Sequence, residues 1–282
     1  MKKIIVTLFI MMFFMPSLAI AVTVGGPELS IPEGSMFLKE KAVNETLNRH
    51  EYMNNIKTGL DIEIVSKREL ASAPADVSEA EIEGHNFMLK FSNNLYDVFE
   101  PYIKIGTSTL EVDWDQHGNN IRVESETGFA WGAGAKAKLW DFQDWGVKLT
   151  LDVQYRHTDL DIDKAKIGGS TSTAAAIGEN FEINEWQITL LGSKKLIIPM
   201  GKNDYYVVPY GGLTHSMLNA DICFTQTGTG LLYSTYDASD ENEFGLVAGF
   251  DIMPFYLSHY LLNFELRLIN EYAFSLGGTI KF

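Results

Sequence analysis

Apolar and polar side chains alternate along most of the chain after about residue 55. The clearest stretch is residues 147–156, in which Val147, Leu149, Leu151, Val153 and Tyr155 alternate with Lys148, Thr150, Asp152, Gln154 and Arg156. Such alternation predicts a β-strand whose two faces meet different surroundings. Similar segments begin near residues 55, 86, 99, 128, 147, 186, 244, 262 and 272, and residues 205–216 are predicted as a further strand of ambiguous facing by their β-branched and aromatic content. The pattern therefore predicts an all-β chain of about ten strands.

The connections between these segments alternate in length. Short connections lie near residues 93–94, 141–145, 199–204 and 253–259, and long ones span residues 67–83, 111–126, 157–182 and 219–243. Transmembrane barrels have short turns at one end and long loops at the other, which favours an antiparallel up-and-down barrel. A soluble β-sandwich or a lipocalin-like barrel is the alternative, because periodicity does not say which face points outward.

The amino end has the anatomy of a secretory signal. Lys2 and Lys3 precede an apolar run at residues 4–15, interrupted only by Thr7, and Ala19-Ile20-Ala21 forms a small-x-small site. We predict a signal peptide at residues 1–21 that is cleaved after export. An N-terminal membrane anchor is the alternative. With Cys223 as the single cysteine, an internal disulfide framework is excluded.

The carboxyl end carries the most specific pattern. Tyr272, Phe274, Leu276, Ile280 and Phe282 share one face of the last segment, which ends on an aromatic residue. This arrangement resembles the insertion signal of bacterial outer-membrane barrels. With Phe129 to Leu139 and the strand openings Phe99-Glu100-Pro101-Tyr102 and Val208-Pro209-Tyr210-Gly211, the chain resembles the small outer-membrane β-barrel superfamily of OmpA-type and omptin-sized barrels.

The resemblance implies a compartment and partners. It implies an integral barrel of about ten strands over residues 52–282 in the outer membrane of a Gram-negative envelope. The implied partners are outer-membrane lipids and lipopolysaccharide, periplasmic chaperones and the barrel-assembly machinery, with no nucleic acid. Residues 22–51, rich in Gly and Pro near their start, are predicted as a periplasmic segment with at most a short helix from Met36 to about Asn48.

With the apolar faces turned to lipid, alternation points the charged faces into the lumen. The predicted lumen-lining residues are Lys57, Asp61, Glu63, Lys90, Lys104, Lys136, Lys138, Lys148, Asp152, Arg156, Asp251, Glu265, Arg267 and Lys281. Because a narrow barrel is largely filled by its side chains, we expect these charges to pair and close the lumen. Left unpaired, the lysines would instead form a narrow channel that prefers anions.

Charge is distributed unevenly along the chain. The formal net charge is −15, and removal of Lys2 and Lys3 with the signal peptide makes it −17. The four long connections together hold twenty acidic and five basic side chains. They predict an acidic outer surface, which is either simply solvated or bridged to lipopolysaccharide by divalent cations.

Two short motifs invite a chemical interpretation. Residues 113–124 resemble a calcium loop, but His117 and Asn120 depart from the pattern. His215 and Ser216 are adjacent, so in a strand they point to opposite faces and cannot form a catalytic dyad. We therefore predict no catalytic, cofactor or metal site and a non-enzymatic structural or surface-interaction role. A narrow channel for small solutes and a lipid-modifying enzyme are the alternatives.

Overall fold

The computed structural model describes residues 23–33, 55–71, 76–168, 170–173, 180–200, 203–225, 230–235 and 238–282. The predicted signal peptide and the predicted helix between Met36 and about Asn48 lie outside these residues. No helix in the described part of the chain has the length and apolar character needed to cross a membrane.

Sixteen antiparallel strands make up the described structure. They are β1 Ile56–Ala71, β2 Val77–Asn93, β3 Phe99–Gln116, β4 Asn119–Ser125, β5 Gly128–Phe142, β6 Val147–Asp159, β7 Ile162–Ile167, β8 Ser170–Thr173, β9 Asn180–Lys194, β10 Leu196–Met200, β11 Asn203–Thr225, β12 Leu232–Ser234, β13 Ala238–Asp240, β14 Phe244–Pro254, β15 Tyr260–Leu268 and β16 Tyr272–Lys281. A 3-10 turn, Phe255–Leu257, joins β14 to β15.

Ten of these strands form a closed barrel in the order β1-β2-β3-β5-β6-β9-β11-β14-β15-β16. The last strand returns to the first, with pairs running from Lys57↔Lys281 to Lys67↔Tyr272. Closure satisfies the backbone groups of both terminal strands, as a lipid environment requires. These are the ten strands that the sequence predicts, so the all-β, antiparallel up-and-down barrel is confirmed.

The connections predicted as long outer loops are not plain loops, and this part of the prediction is corrected. They contain β4, β7, β8, β12 and β13, and the barrel strands themselves continue into them. β3 has 18 residues and β11 has 23. The tail of β3 pairs with β4, β4 with β7 and β7 with β8. We call this extension, from Leu110 in β3 through β4, β7 and β8, the outer sheet.

The continuation has a clear physical cause, which β3 shows. Its outward side chains run Phe99, Pro101, Ile103, Ile105, Thr107, Thr109, Glu111, Asp113 and Asp115, from apolar to acidic. Its inward side chains run Glu100, Tyr102, Lys104, Gly106, Ser108, Leu110, Val112, Trp114 and Gln116, from polar to apolar. Both faces change character near Ser108. Below this level the outward side chains are apolar, as contact with lipid requires, and the inward ones are polar or charged. Above it the outward side chains are polar, as contact with water requires, and the inward ones are apolar and form a core.

Aromatic rings mark the same level on neighbouring strands. Trp131, Tyr155 and Trp186 lie side by side on the outer face of β5, β6 and β9, with ring centroids 5.5 and 5.0 Å apart. At the opposite end, Tyr205 and Tyr256 face each other at 6.4 Å. Two such belts are typical of the interfaces that bound the apolar band of a membrane barrel.

Above the upper belt, the inward side chains form one apolar cluster, which we call the outer core. Its members are Val65, Leu70, Ala80, Ile82, Leu110, Val112, Trp114, Ile121, Val123, Leu160, Ile162, Ala165, Phe181, Ile183, Leu218, Ala220, Ile222, Phe224, Tyr233, Ala238 and Ala273. Trp114 and Phe224 meet edge to face at 6.4 Å. The outer core closes the barrel at this end as the core of a soluble protein would.

Candidate functional site in the barrel lumen

The lower half of the lumen holds residues 23–33, which we call the lumen segment. Lysine side chains from three barrel strands donate hydrogen bonds to its backbone carbonyl oxygens. Lys57 reaches Leu29 and Ile31, each at 2.9 Å, Lys104 reaches Thr23 at 2.5 Å, and Lys136 reaches Gly25 and Gly26 at 3.0 and 2.8 Å. Charged donors on buried carbonyls make strong hydrogen bonds, so the segment is fixed along its length.

Two carboxylates hold the amino end of the lumen segment. Glu63 on β1 accepts a hydrogen bond from the backbone N–H of Thr23. Glu265 on β15 accepts from the N–H groups of Val24 and Gly25 at 3.0 and 3.1 Å. The amino end of the segment is therefore held by two carboxylates together with Lys104, and the part below it by Lys57 and Lys136.

The position of the lumen segment corrects the predicted periplasmic segment at residues 22–51. Residues 23–33 lie inside the barrel, and residues 34–51 lie outside the described residues. The physical reason is the buried lysines, whose ammonium groups need acceptors that the barrel carboxylates alone do not supply. Gly25 and Gly26 admit the close approach, since a Cβ at Gly26 would overlap the Asp251 carboxylate.

Ion pairs between barrel side chains fill the space around the segment. Lys57 pairs with Glu100 at 2.8 Å, and Lys104 pairs with Asp61 at 3.2 Å. Lys148 reaches Glu28 of the segment at 2.8 Å. Tyr102 adds a hydrogen bond to Asp152 at 2.8 Å, and Tyr210 one to Glu265 at 3.0 Å.

A second charged layer lies between the lumen segment and the outer core, and Arg68 is at its centre. The Arg68 guanidinium meets the two Asp240 oxygens at 2.6 and 2.7 Å, Glu185 at 2.7 Å and Glu271 at 3.3 Å. It also donates to the Ser216 hydroxyl at 2.6 Å. All five residues are buried. The geometry toward Asp240 is bidentate, the strongest form of the arginine–carboxylate contact.

Two further arginines connect this layer to the segment below. Arg156 pairs with Glu63 at 3.3 Å and with Glu185 at 2.8 Å. Arg267 pairs with Glu265 at 2.8 Å and with Glu271 at 3.1 Å. The carboxylates that hold the amino end of the segment therefore belong to the same network as Arg68.

The structure places most of the residues predicted to line the lumen in buried positions. Lys57, Asp61, Glu63, Lys104, Lys136, Asp152, Arg156, Asp251, Glu265 and Arg267 are buried, whereas Lys90, Lys138, Lys148 and Lys281 are partly buried near the lower end. Lys138 lies beside a β-bulge that precedes Trp140. On β16, Tyr272, Phe274, Leu276 and Ile280 are on the face opposite the buried Ala273 and Ser275, and Phe282 follows the strand.

The sequence reasoning missed Arg68, Glu100, Glu185, Asp240 and Glu271. Arg68 and Asp240 lie in stretches assigned to outer loops, and Glu271 lies in the short link before the last strand. Glu185 lies one residue before the first apolar position of its predicted strand. The alternation of β1 predicts that Arg68 points into the lumen, provided that the register shift at the β-bulge between Val65 and Lys67 is included.

The filled lumen leaves little free volume. Three cavities that described residues line inside the lumen measure about 30 Å³ beside the segment, about 10 Å³ beside Tyr102 and Arg156, and about 10 Å³ beside Arg68 and Leu218. A single water molecule needs about 10–15 Å³ by this measure. None of these three spaces is large enough for more than isolated waters.

Side chains of the two motifs with possible chemistry make contacts within the barrel and the outer sheet. Arg122 pairs with Asp113 at 2.8 Å and with Glu111 at 2.9 Å on the face of the outer sheet, where a calcium loop would need free carboxylates. Within the described residues there is no group of three or more His, Cys, Asp or Glu side chains arranged for a metal ion. His215 faces outward and stacks on Phe244 at 4.7 Å, while Ser216 points inward.

The charges of the outer sheet are arranged in cross-strand pairs. Lys166 on β7 donates a hydrogen bond to Glu124 on β4, which holds the pKa of that carboxyl below its usual value. Burial raises the pKa of Glu111 on β3. The acids of this region therefore share their surface with Arg122, Lys164 and Lys166, and the outer sheet is a mixed-charge face.

Comparisons with known proteins agree with this architecture. The model of the outer membrane protein beta-barrel domain matches residues 49–193, just over half of the chain. No curated protein matches the chain.

Among solved structures, the chain is similar to the translocator domain of the autotransporter NalP from Neisseria meningitidis, with 13% identity, TM-score 0.39 and coverage of 81% of this chain and 88% of that one. It is also similar to the beta domain of the Bordetella autotransporter BrkA, with 11% identity, TM-score 0.40 and coverage of 81% and 100%. The toluene transporter TbuX from Ralstonia pickettii matches with 9% identity, TM-score 0.35 and coverage of 81% and 90%. With its ten-stranded closed barrel and its match to the family model, the chain belongs to the outer membrane protein beta-barrel domain family.

Proposed function

We propose that this protein is a closed, non-enzymatic outer-membrane barrel that holds the outer sheet at the cell surface for structural or interaction purposes. The observation that carries the proposal is the filling of the lumen at three successive levels. The lumen segment fills the lower part, the Arg68 network the middle, and the outer core the top. A channel would need an open path through all three.

The three levels resist opening for different reasons. Displacing the lumen segment would strip Lys57, Lys104 and Lys136 of buried acceptors. Opening the middle layer would separate buried ion pairs, and opening the top would expose the outer core to water. Each step is costly, since buried charges and apolar side chains both lose their partners. A narrow channel for small solutes is therefore the weaker alternative.

The outer sheet is the surface we propose for interaction. It carries acids and bases on one solvent-facing side and is supported from below by the outer core. Lipopolysaccharide is the partner we propose for the outer sheet. We propose that periplasmic chaperones and the barrel-assembly machinery bind the protein only during its insertion. A mixed-charge face favours polar, reversible contacts over a large apolar interface.

Labelling of intact cells tests the surface role. Asn120 on β4 and Gln143 in the turn between β5 and β6 are both exposed and lie at opposite ends of the barrel. In a Cys223→Ser background, we expect a membrane-impermeant maleimide to label Asn120→Cys on whole cells, and Gln143→Cys only after the outer membrane is permeabilised. Labelling of Gln143→Cys alone on intact cells would contradict the proposal, because the outer sheet would then face the periplasm.

A further inference from the structure

The outer face of the barrel changes from aromatic to hydrogen-bonding side chains within one step along β6 and β9. Tyr155 lies opposite Trp186 across the two strands, and the next outward pair is His157 and Asn184. Trp131 on β5 lies opposite His157. Trp131 is 40% exposed and Trp186 is 51% exposed, whereas the polar side chains beside them are partly buried. We call the following six residues the belt site: Trp131, Tyr155, His157, Glu182, Asn184 and Trp186.

The aromatic half of the belt site is a row of rings and not a cage. The ring centroids are 5.5 Å apart between Trp131 and Tyr155, and 5.0 Å apart between Tyr155 and Trp186. Such a row offers an extended apolar surface on which a flat ligand can lie. A cage for an ammonium group would instead direct several ring faces at one point. The arrangement therefore favours a ring-shaped ligand over a cation.

The polar half of the belt site is a hydrogen-bond network centred on Asn184. Its Oδ1 accepts from the Tyr155 hydroxyl at 2.6 Å and contacts His157 Nδ1 at 2.9 Å. Its Nδ2 donates to Glu182 at 2.8 Å. Four side chains from two strands are therefore held in fixed positions at the level of the upper belt.

The network determines which polar groups remain for a ligand. Because His157 donates from Nδ1 to the Asn184 oxygen, His157 Nε2 accepts when the ring is neutral. The Tyr155 oxygen and the Glu182 carboxylate also keep lone pairs that the network does not use. Among these four described side chains, acceptors therefore outnumber donors. A complementary ligand must be rich in donors, as sugar hydroxyl groups are and phosphate groups are not.

The surroundings of the belt site point to the same class of ligand. One step below it, Val153 and Ile188 are outward neighbours on β6 and β9, and they provide an apolar wall for acyl chains. One step above the His157 level, Asp159 lies opposite Glu182, and two carboxylates repel a phosphate. The order of apolar, aromatic and hydrogen-bonding side chains thus matches a lipid whose acyl chains continue into a sugar ring.

We propose that the belt site binds the sugar headgroup of an outer-leaflet glycolipid, the sugar–lipid end of lipopolysaccharide. The apolar face of one sugar ring lies on the aromatic row, and the hydroxyl groups of that ring donate to His157, Tyr155 and Glu182. The choice of leaflet rests on the proposed function, which places the outer sheet at the cell surface. The belt site itself lies on the barrel wall, below the outer sheet.

Lipid binding to the folded, unaltered barrel tests the ligand class. Native mass spectrometry in detergent micelles compares lipid A, lipid A without its phosphates, phosphatidic acid and phosphatidylethanolamine. We expect both forms of lipid A to bind at least about tenfold more tightly than the two phospholipids. Tighter binding of phosphatidic acid would indicate a phosphate site, and tighter binding of phosphatidylethanolamine an ammonium site. Either result, equal binding of all four lipids, or loss of lipid A binding with its phosphates would overturn the proposal.

Substitutions connect the binding to the belt site. Trp186→Leu removes one ring but keeps an apolar outward side chain, and Asn184→Ala removes the centre of the network. Each should weaken the binding of dephosphorylated lipid A by about tenfold. The matched controls are Trp145→Leu and Gln143→Ala, in the exposed turn at the other end of the barrel, which should leave the affinity unchanged. Parental affinity in both belt-site variants would contradict the site.

Failure of this proposal is distinguishable from failure of the proposed function. The lipid comparison uses the unaltered barrel, so it tests the site even where a substitution weakens the fold. Whole-cell labelling at Asn120 and Gln143 tests the orientation separately. A barrel that binds dephosphorylated lipid A but labels only at Gln143 would refute the surface role and the choice of leaflet, and would support the sugar site.

Discussion

Replacing Arg68 by methionine removes the centre of the middle layer while keeping a side chain of similar length. The change leaves Asp240, Glu185 and Glu271 without their shared guanidinium, and it leaves Ser216 without its donor. Arg156 and Arg267 still contact Glu185 and Glu271, whereas among the described residues the Asp240 carboxylate forms its ion pair with Arg68. Most of the lost stability should therefore come from the Asp240 carboxylate, which is left buried without its ion pair.

The size of the effect follows from burial. Both Arg68 and Asp240 have side chains that are 1% exposed, so the carboxylate left behind is out of water. Removing one partner of a buried ion pair costs about 3–5 kcal/mol in the free energy of unfolding. The neighbouring Lys67, 38% exposed and paired with Glu69 and Glu81, is the matched control, for which Lys67→Met should cost about 0–1 kcal/mol.

The free energy of unfolding of both variants is measured by equilibrium unfolding in urea, with the barrel in detergent micelles or lipid vesicles. Tryptophan fluorescence is a suitable signal because Trp114 is buried in the outer core above Arg68. Asp240→Asn in the Arg68→Met background removes the stranded charge and should recover part of the loss. A loss below about 1 kcal/mol for Arg68→Met, equal to the Lys67 control, would refute the buried network.

Three further predictions concern the segment, the lipid face and insertion. Gly26→Ala should displace the lumen segment, because the added Cβ overlaps the Asp251 carboxylate. A cysteine placed at Leu29 should then react with maleimide, and adding Asp251→Ala should again protect that cysteine from maleimide. Leu151→Arg should lower the free energy of unfolding in vesicles by about 2–4 kcal/mol, since Leu151 lies on the outward face of β6. A change near zero would mean that the two faces of β6 are inverted. Deletion of Phe282 should lower the outer-membrane level with export intact; an unchanged level by fractionation would argue against an insertion signal.

The barrel was predictable from the sequence because its period is simple. Nine of the ten barrel strands carry an alternation that is visible without knowledge of the neighbouring strands, as residues 147–156 show, and β11 was predicted from its β-branched and aromatic content. The outer sheet was not predictable by the same reasoning. There the apolar side chains move from the outward to the inward face, so a search for one continuous apolar face ends near Ser108 although β3 continues to Gln116.

The lumen segment was hidden for a different reason. Residues 23–33 have no alternation and no helical period, and they are recognised by backbone groups that every sequence shares. Lysine bonds to carbonyl oxygens leave no sequence pattern in the segment. The glycine pair at Gly25 and Gly26 is the one local sign of a close approach, and it is equally typical of a loop.

Single-channel recording in planar bilayers tests the closed lumen most directly. The unaltered, refolded barrel should give no stable current steps in 1 M KCl, because three filled levels separate its two mouths. A variant lacking residues 23–33 should stay closed as well, since the Arg68 network and the outer core remain. A steady ohmic conductance in the unaltered protein would contradict the account, and would mean that solutes pass where the structure places buried side chains.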